Sequence, residues 1–458
     1  MSDINRTKEQ INFCIKGELW EQLPKFFEEL HPADIAEIIN HAPASTHNIL
    51  FDLLDDEIKP DVLAELDDQA EADILEELSD EEISDIVEEM APDDAADVLG
   101  ELEDEKREEI LDLMEIEDSE DVRELLRYDE DTAGGIMTTD FVAAQATMTA
   151  LEAINYISGL DLDEAIYNLY VVDSEGRLTG WIQLWQLLKK ANHDMTLEEL
   201  ADKDAISVRT DADQEEVARL VSKYDLSSLP VLDGQNKLVG RVTVDDIMDV
   251  MEEEASGDIF KFAGSDDSEL EHSSALHAFK TRLPWLMVTL FAGTVSSIIL
   301  KRFIDGHIVA LSFFVPIIMA MGGNTGIQSS TLIIRGLAVG SIDEKGLFKL
   351  LGRELLIGTL LGIICGVIIG IIANIMVGPD SSVPALYLAF TVGVSLFSAM
   401  MFAAVFGAFA PLLLNRLKVD PAVASGPFVT ASNDILALLI YYGVTLYLIT
   451  LRASIMGG

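Results

Sequence analysis

The chain has 458 residues, of which 81 are acidic against 30 Lys and Arg, a net charge of −51. So acidic a balance excludes nucleic acid as a partner, because phosphate binding needs a basic patch and none is visible. The acids are unevenly placed: residues 1–279 hold 74 acids and 19 bases, whereas residues 280–458 hold 7 acids and 11 bases. A soluble acidic half is thus joined to a hydrophobic half, and a cation is the simplest partner for both.

Residues 1–130 carry a repeat. Apolar residues recur every twelve positions at Leu54, Leu66, Leu78, Met90, Leu102, Met114 and Leu126. Twelve residues hold one short helix and a turn, so neighbours must stack to bury their apolar stripes. The expectation is an all-α superhelical solenoid, with Pro32 and Pro92 in the first turns of helices that open on acids. No apolar core of signal-peptide type follows Met1, so this half is expected on the cytosolic side.

A second repeat has a period of 60: Leu169–Asp173 and Arg177–Gly180 return as Leu229–Asp233 and Lys237–Gly240. Each copy reads helix, strand, turn, strand, helix, and the pair resembles tandem CBS domains, which implies an α/β pseudodimer over 131–258. Gly240, Thr243 and Asp246 match the signature that binds nucleotide ribose and phosphate in some such pairs. The first copy has Gln183 and Gln186 at the Thr and Asp positions, so one adenine-nucleotide site (ATP) is expected, not two. A polar, helix-prone connecting segment, 259–280, leads to the membrane half.

Five apolar stretches follow, Leu283–Leu300, Val309–Ile334, Leu355–Val377, Val383–Leu414 and Pro427–Leu451. Each reaches the roughly 18 residues needed to cross a bilayer in contact with membrane lipid, giving a pore domain over 281–458. The expected cytosolic flanks carry eight basic residues (Lys280, Arg282, Arg335, Lys345, Lys349, Arg353, Arg416, Lys418) and the outer flanks three, the positive-inside bias. Asp434 reads as the one acid well inside a span, and an intramembrane carboxylate marks function by default. The second span is broken by Pro316 and carries Gly323, Asn324, Gly326 and Gln328. The fifth opens on Gly426-Pro427 and groups Thr430, Ser432, Asn433 and Asp434. Cys14 and Cys365 fall in different halves, so no disulfide is expected.

Taken in order, these parts resemble the MgtE family of magnesium transporters and channels, with Asp420-Pro421-Ala422 setting the register of Asp434. The resemblance implies a homodimer in the cell membrane with an ion path at its two-fold axis. That path would be lined by the second and fifth spans, through Pro316, Asn324, Gly326, Gln328, Gly426 and Thr430. Asp434 matches the family's selectivity aspartate, and Asp420 is a further candidate metal-binding acid. The resemblance also implies closure by cytosolic Mg²⁺ bridging the acidic domains, here through Asp93, Asp97 and Asp249, with Glu216, Asp225, Glu252 and Asp258 as neighbouring candidates. Gly257 stands where the family carries an acid, so one bridge is lost or moved.

The chemistry agrees. Mg²⁺ keeps much of its water and needs only one or two carboxylates, which two facing Asp434 residues supply under two-fold symmetry. No nucleophile–base set or phosphate-cradling loop appears, so an enzyme is not expected. Two alternatives stay open: a transporter of Co²⁺, Mn²⁺ or Ni²⁺, and a membrane-anchored nucleotide or ion sensor.

Overall fold

The computed structural model describes residues 2–160, 166–266, 275–304, 309–338, 342, 347–376, 384–421 and 426–456. The chain divides into two compact units, Met1–Glu252 and Glu253–Gly458.

The twelve-residue repeat becomes five helices whose starts are spaced by twelve: α1 (Asp68–Leu75), α2 (Asp80–Val87), α3 (Pro92–Gly100), α4 (Asp104–Leu111) and α5 (Ile116–Leu125). Each is only two to three turns long: side-chain caps start α1 and α2, Pro92 opens α3, and the repeating apolar residue lies in the turn beyond each end. Asp67 accepts the Ala70 amide at 2.9 Å, and Ser79 and Glu82 form a reciprocal capping box. Pro92 occupies the first turn of α3, as Pro32 does in Pro32–Asn40. Leu66, Leu78, Met90, Leu102 and Leu126 pack against the core these helices share. An isolated helix of eight residues is unstable in water, so that packing holds the stack together.

The 60-residue repeat becomes two three-stranded sheets of identical topology. β1 (Ala143–Gln145), α6 (Ala150–Ile157), β2 (Asn168–Val172) and β3 (Leu178–Gln183) form the first copy. β4 (Val208–Arg209), α7 (Gln214–Tyr224), β5 (Ser228–Leu232) and β6 (Leu238–Thr243) form the second. In both, the outer pair is parallel and the hairpin antiparallel. The register repeats with the sequence: Asn168 faces Gln183 and Ser228 faces Thr243. Asp173 and Asp233 make the same turn, each accepting two backbone amides at 2.7–3.0 Å. The first copy has a core of its own. The second shares one hydrophobic core with the helical stack, running through Met137, Val242, Ile247 and Val250.

α8 (Val244–Ala263) extends from β6 into the expected connecting segment, of which 267–274 lie outside the described residues. The second unit contains α9 (Ala275–Ile304), α10 (Val315–Ala338), α11 (Leu347–Met376), α12 (Ala385–Arg416) and α13 (Pro427–Met456). Among the described residues four helices, α9, α11, α12 and α13, are long and apolar enough to cross a membrane. The fifth expected span is helical as α10, but its Gly322–Ser330 run of glycines and polar residues keeps it out of that set.

Candidate functional site

Two groups of residues carry the chemistry expected from the sequence, one in each unit. In the first unit, α3 presents Asp93 to the second sheet copy. One Asp93 oxygen, Oδ1, is buried with no hydrogen-bond partner, and its carboxylate also bonds Thr138. Burial, then the carboxylates of Asp246 and Asp94, push its pKa well above the ordinary carboxylate range. Asp246, at the start of α8, accepts from the Thr243 amide at 3.2 Å and the Thr243 hydroxyl at 2.5 Å. Burial raises its pKa against those hydrogen bonds, with Asp245 and Asp249 adding to the rise. Asp249 is raised by desolvation and then by Glu65, Glu252 and Asp245. The superhelix and the second copy therefore meet acid against acid, at Asp93–Asp246 and Glu65–Asp249.

Asp97, one turn along α3 from Asp93, belongs to a different cluster with Glu71, Asp68 and Glu101. Glu71 Oε1 is buried without a partner, and burial, followed by those three carboxylates, pushes Glu71 up to about 7. Glu65 and Glu71 were not legible as site residues, since nothing in their local sequence separates them from dozens of other acids. Glu216 lies 3.8 Å from Arg219 on the exposed side of α7, and Asp225 ends α7 in the left-handed region at φ 51°, a capping role. The Asp258 side chain and Ala422 lie outside the described residues. Among the described residues no three acidic, His or Cys side chains converge as a metal-binding group. The donors are hard oxygens arranged in facing pairs, with a buried oxygen left unpaired at Asp93. Such a set suits a divalent ion that keeps most of its water.

Gly240, Thr243 and Asp246 are brought together at the β6–α8 junction. Gly240 is required by packing: a Cβ there would lie 2.6 Å from Met137 Sδ and 2.8 Å from the Thr138 carbonyl. In the first copy Gln183 accepts the Trp185 indole N–H at 2.6 Å instead.

In the second unit α13 lies directly on α10. A Cβ on Gly326 would overlap the Asn433 amide, and one on Gly323 would stand 3.4 Å from Asp434 Oδ1 and 3.6 Å from Thr430 Cγ2. Gly326 also meets α12, since a Cβ on Gly407 would strike the Gly326 carbonyl. Gly326 is thus where α10, α12 and α13 cross, and the closeness sets Asp434 against the backbone of α10. Asp434 has no hydrogen bond or ion pair among the described residues, Arg335 included. Asn433 is buried with both amide atoms unpartnered. Pro316, Asn324 and Gln328 occupy one exposed stripe of α10 at multiples of four residues, while Gly326 faces inward. The Gly426 carbonyl accepts from the Thr430 amide and hydroxyl at 3.1 and 2.9 Å. Asp420 pairs with Lys261 at 3.3 Å.

One expectation is corrected. Asp434 is not the only acid within a membrane helix: Glu354 lies in α11, 4% exposed, and accepts the Ser329 hydroxyl at 2.8 Å. The apolar run starts at Leu355, which placed Glu354 on the flank, but the helix begins at Leu347 and buries it.

Three family profiles match: the MgtE intracellular N domain over 30–131, the CBS domain over 133–193 and 197–253, and a divalent cation transporter domain, MgtE, over 315–444. The chain is 41% identical over 323 residues to the magnesium transporter MgtE of Thermus thermophilus, covering 69% of this chain and 70% of that one. It is 37% identical over 320 residues to the magnesium transporter MgtE of Bacillus subtilis, covering 69% of each. Among solved structures, the soluble part of a magnesium transporter aligns at 30% identity and TM-score 0.48, over 55% of this chain and 99% of that one. The cytosolic domain of the Mg²⁺ channel MgtE in complex with ATP aligns at 35% identity and TM-score 0.48, over 52% and 99%. With such identity over two-thirds of both sequences, the chain belongs to the MgtE family of magnesium transporters.

Proposed function

We propose that the protein is a homodimeric, five-span channel for Mg²⁺, closed when cytosolic Mg²⁺ binds its acidic unit. The observation that carries this reading is Asp434, a carboxylate without an ion-pair partner set against Gly323 and Thr430 where α10 and α13 cross. Its oxygens are available to the water shell of a dication, and few, water-mediated contacts let the ion leave again. α10 and α13 contain no His or Cys, which favours Mg²⁺ over softer metals. Asn324 and Gln328 on an exposed stripe of α10 support a second copy at this face, because lipid offers no partner for a side-chain amide. α10 is then the fifth span despite its polarity.

Closure follows from the facing acids. Asp93 against Asp246 and Glu65 against Asp249 repel when ionised, so the packed arrangement is favoured by a bound divalent ion. Asp93, Asp97 and Asp249 act as bridges, with Glu65 and Glu71 added to them. A nucleotide bound at Thr243 and Asp246 uses the carboxylate that faces Asp93, so nucleotide and Mg²⁺ are thermodynamically linked there. The test is ion flux in proteoliposomes across a series of divalent cations, with internal Mg²⁺ varied. Flux that ignores internal Mg²⁺, or that persists without Asp434, removes the reading.

A further inference from the structure

We infer that Glu354 is a positioning residue for the ion path: by accepting the Ser329 hydroxyl it fixes the rotation of α10 just past its midpoint, and so the face that carries Asn324 and Gln328. The inference rests on the channel reading above. A carboxylate buried in a membrane helix is costly unless it is held by a partner, and Ser329 supplies that partner at 2.8 Å, itself only 4% exposed.

The direction of Glu354 is set by the rest of α11. Gly358, Gly362, Gly366 and Gly370 follow it at steps of four residues, and a Cβ on any of them would press on α12. The nearest atoms would be Ala404 Cβ at 2.7 Å, the Phe397 carbonyl at 3.0 Å, the Gly393 carbonyl at 2.6 Å and the Ala389 carbonyl at 3.1 Å. Small residues along one face let the two helices approach this closely and so set which face of α11 meets α12. Glu354 continues that stripe by one further step and reaches α10.

On the other side, the hydroxyls of α10 have a local alternative. Thr325 and Thr331 donate to the carbonyls four residues back, Met321 at 2.7 Å and Ile327 at 2.9 Å. Ser329 donates to Glu354 instead. It directly follows Gln328, so the hydrogen bond sets the angle at which the Asn324–Gln328 stripe is presented. α13 fixes α10 at Gly322–Gly326, and the Glu354 bond fixes it again one turn later.

The experiment measures Mg²⁺ uptake rate and half-saturating Mg²⁺ in proteoliposomes holding the full chain. Ser329→Ala and Glu354→Ala each lower uptake about tenfold, the weight of one buried hydrogen bond left unmade, and both shift half-saturation. Glu354→Gln, whose amide oxygen still accepts, retains wild-type rate and half-saturation. The double variant Ser329→Ala/Glu354→Ala is no worse than either single one, because the two residues act through one bond. Additive losses, an unaffected Ser329→Ala, or a Glu354→Gln as impaired as Glu354→Ala overturn the inference. Asp434→Ala in the same vesicles reports on the channel reading alone: uptake surviving there removes that reading, whereas uptake lost there and intact in Ser329→Ala removes only the Glu354 assignment.

Discussion

Glu71→Gln is expected to stabilise the soluble unit at neutral and alkaline pH in the absence of Mg²⁺. Glu71 lies mostly buried in α1, its Oε1 unpartnered, with Asp68, Asp97 and Glu101 nearby, and its pKa stands at about 7 against an ordinary 4.5. A raised carboxyl pKa means the folded state holds the proton more tightly than the unfolded chain. The penalty is therefore complete above pH 7 and is relieved as pH falls through 7 toward 4.5. At 1.36 kcal/mol per pH unit the ceiling is about 3 kcal/mol, and ionic screening of the three neighbouring acids brings the expected gain from Glu71→Gln to about 1–2 kcal/mol. The assay is urea unfolding of the full-length protein in detergent with divalent ions chelated, read by hydrogen exchange over Asp68–Leu75 at pH 5.5 and pH 8. Wild type should be more stable at the lower pH, and Glu71→Gln should flatten the difference, with its advantage over wild type smaller at pH 5.5 than at pH 8 because the penalty is only partly relieved there. A variant less stable than wild type at pH 8, or an unchanged pH slope, would refute the argument that Glu71 is held charged against its environment.

Three further outcomes follow from the geometry. Gly326→Ala should reduce Mg²⁺ uptake about tenfold or more, since a methyl group there displaces Asn433 and α13, and overpacking of this kind costs about 1–3 kcal/mol; normal uptake would remove Gly326 as the crossing point. Asp93→Asn with Asp249→Asn should weaken the protease protection that Mg²⁺ confers on residues 1–252, and a digestion pattern indifferent to both variants would count against bridging. Calorimetry with ATP on the full chain should detect one site per chain that is lost in Asp246→Ala, whereas two sites, or one that survives the substitution, would dismiss the nucleotide assignment.

How much of this was legible in the sequence differs by level. The twelve-residue period located the helices because each repeat carries its own apolar residue, and some add a cap or a first-turn proline, all local signals. The 60-residue period fixed strand register for the same reason, down to the matching turns at Asp173 and Asp233. Asp434 stood out by its apolar surroundings. Glu65 and Glu71 did not, because what distinguishes them is which acids the fold brings opposite, a tertiary property. Glu354 was missed differently: a hydropathy window sees the first apolar residue after it, whereas burial depends on where the helix starts and what α10 and α12 place beside it. Asp225 takes a backbone role that its sequence did not announce, ending α7 in the left-handed region.

The central claim is that Asp434 carries the permeant ion. It is tested most directly by Mg²⁺ flux into proteoliposomes containing Asp434→Ala and Asp434→Asn, with assembly checked by size-exclusion chromatography. Both variants should assemble as wild type does and conduct no Mg²⁺. Wild-type flux through correctly assembled Asp434→Ala would contradict the claim.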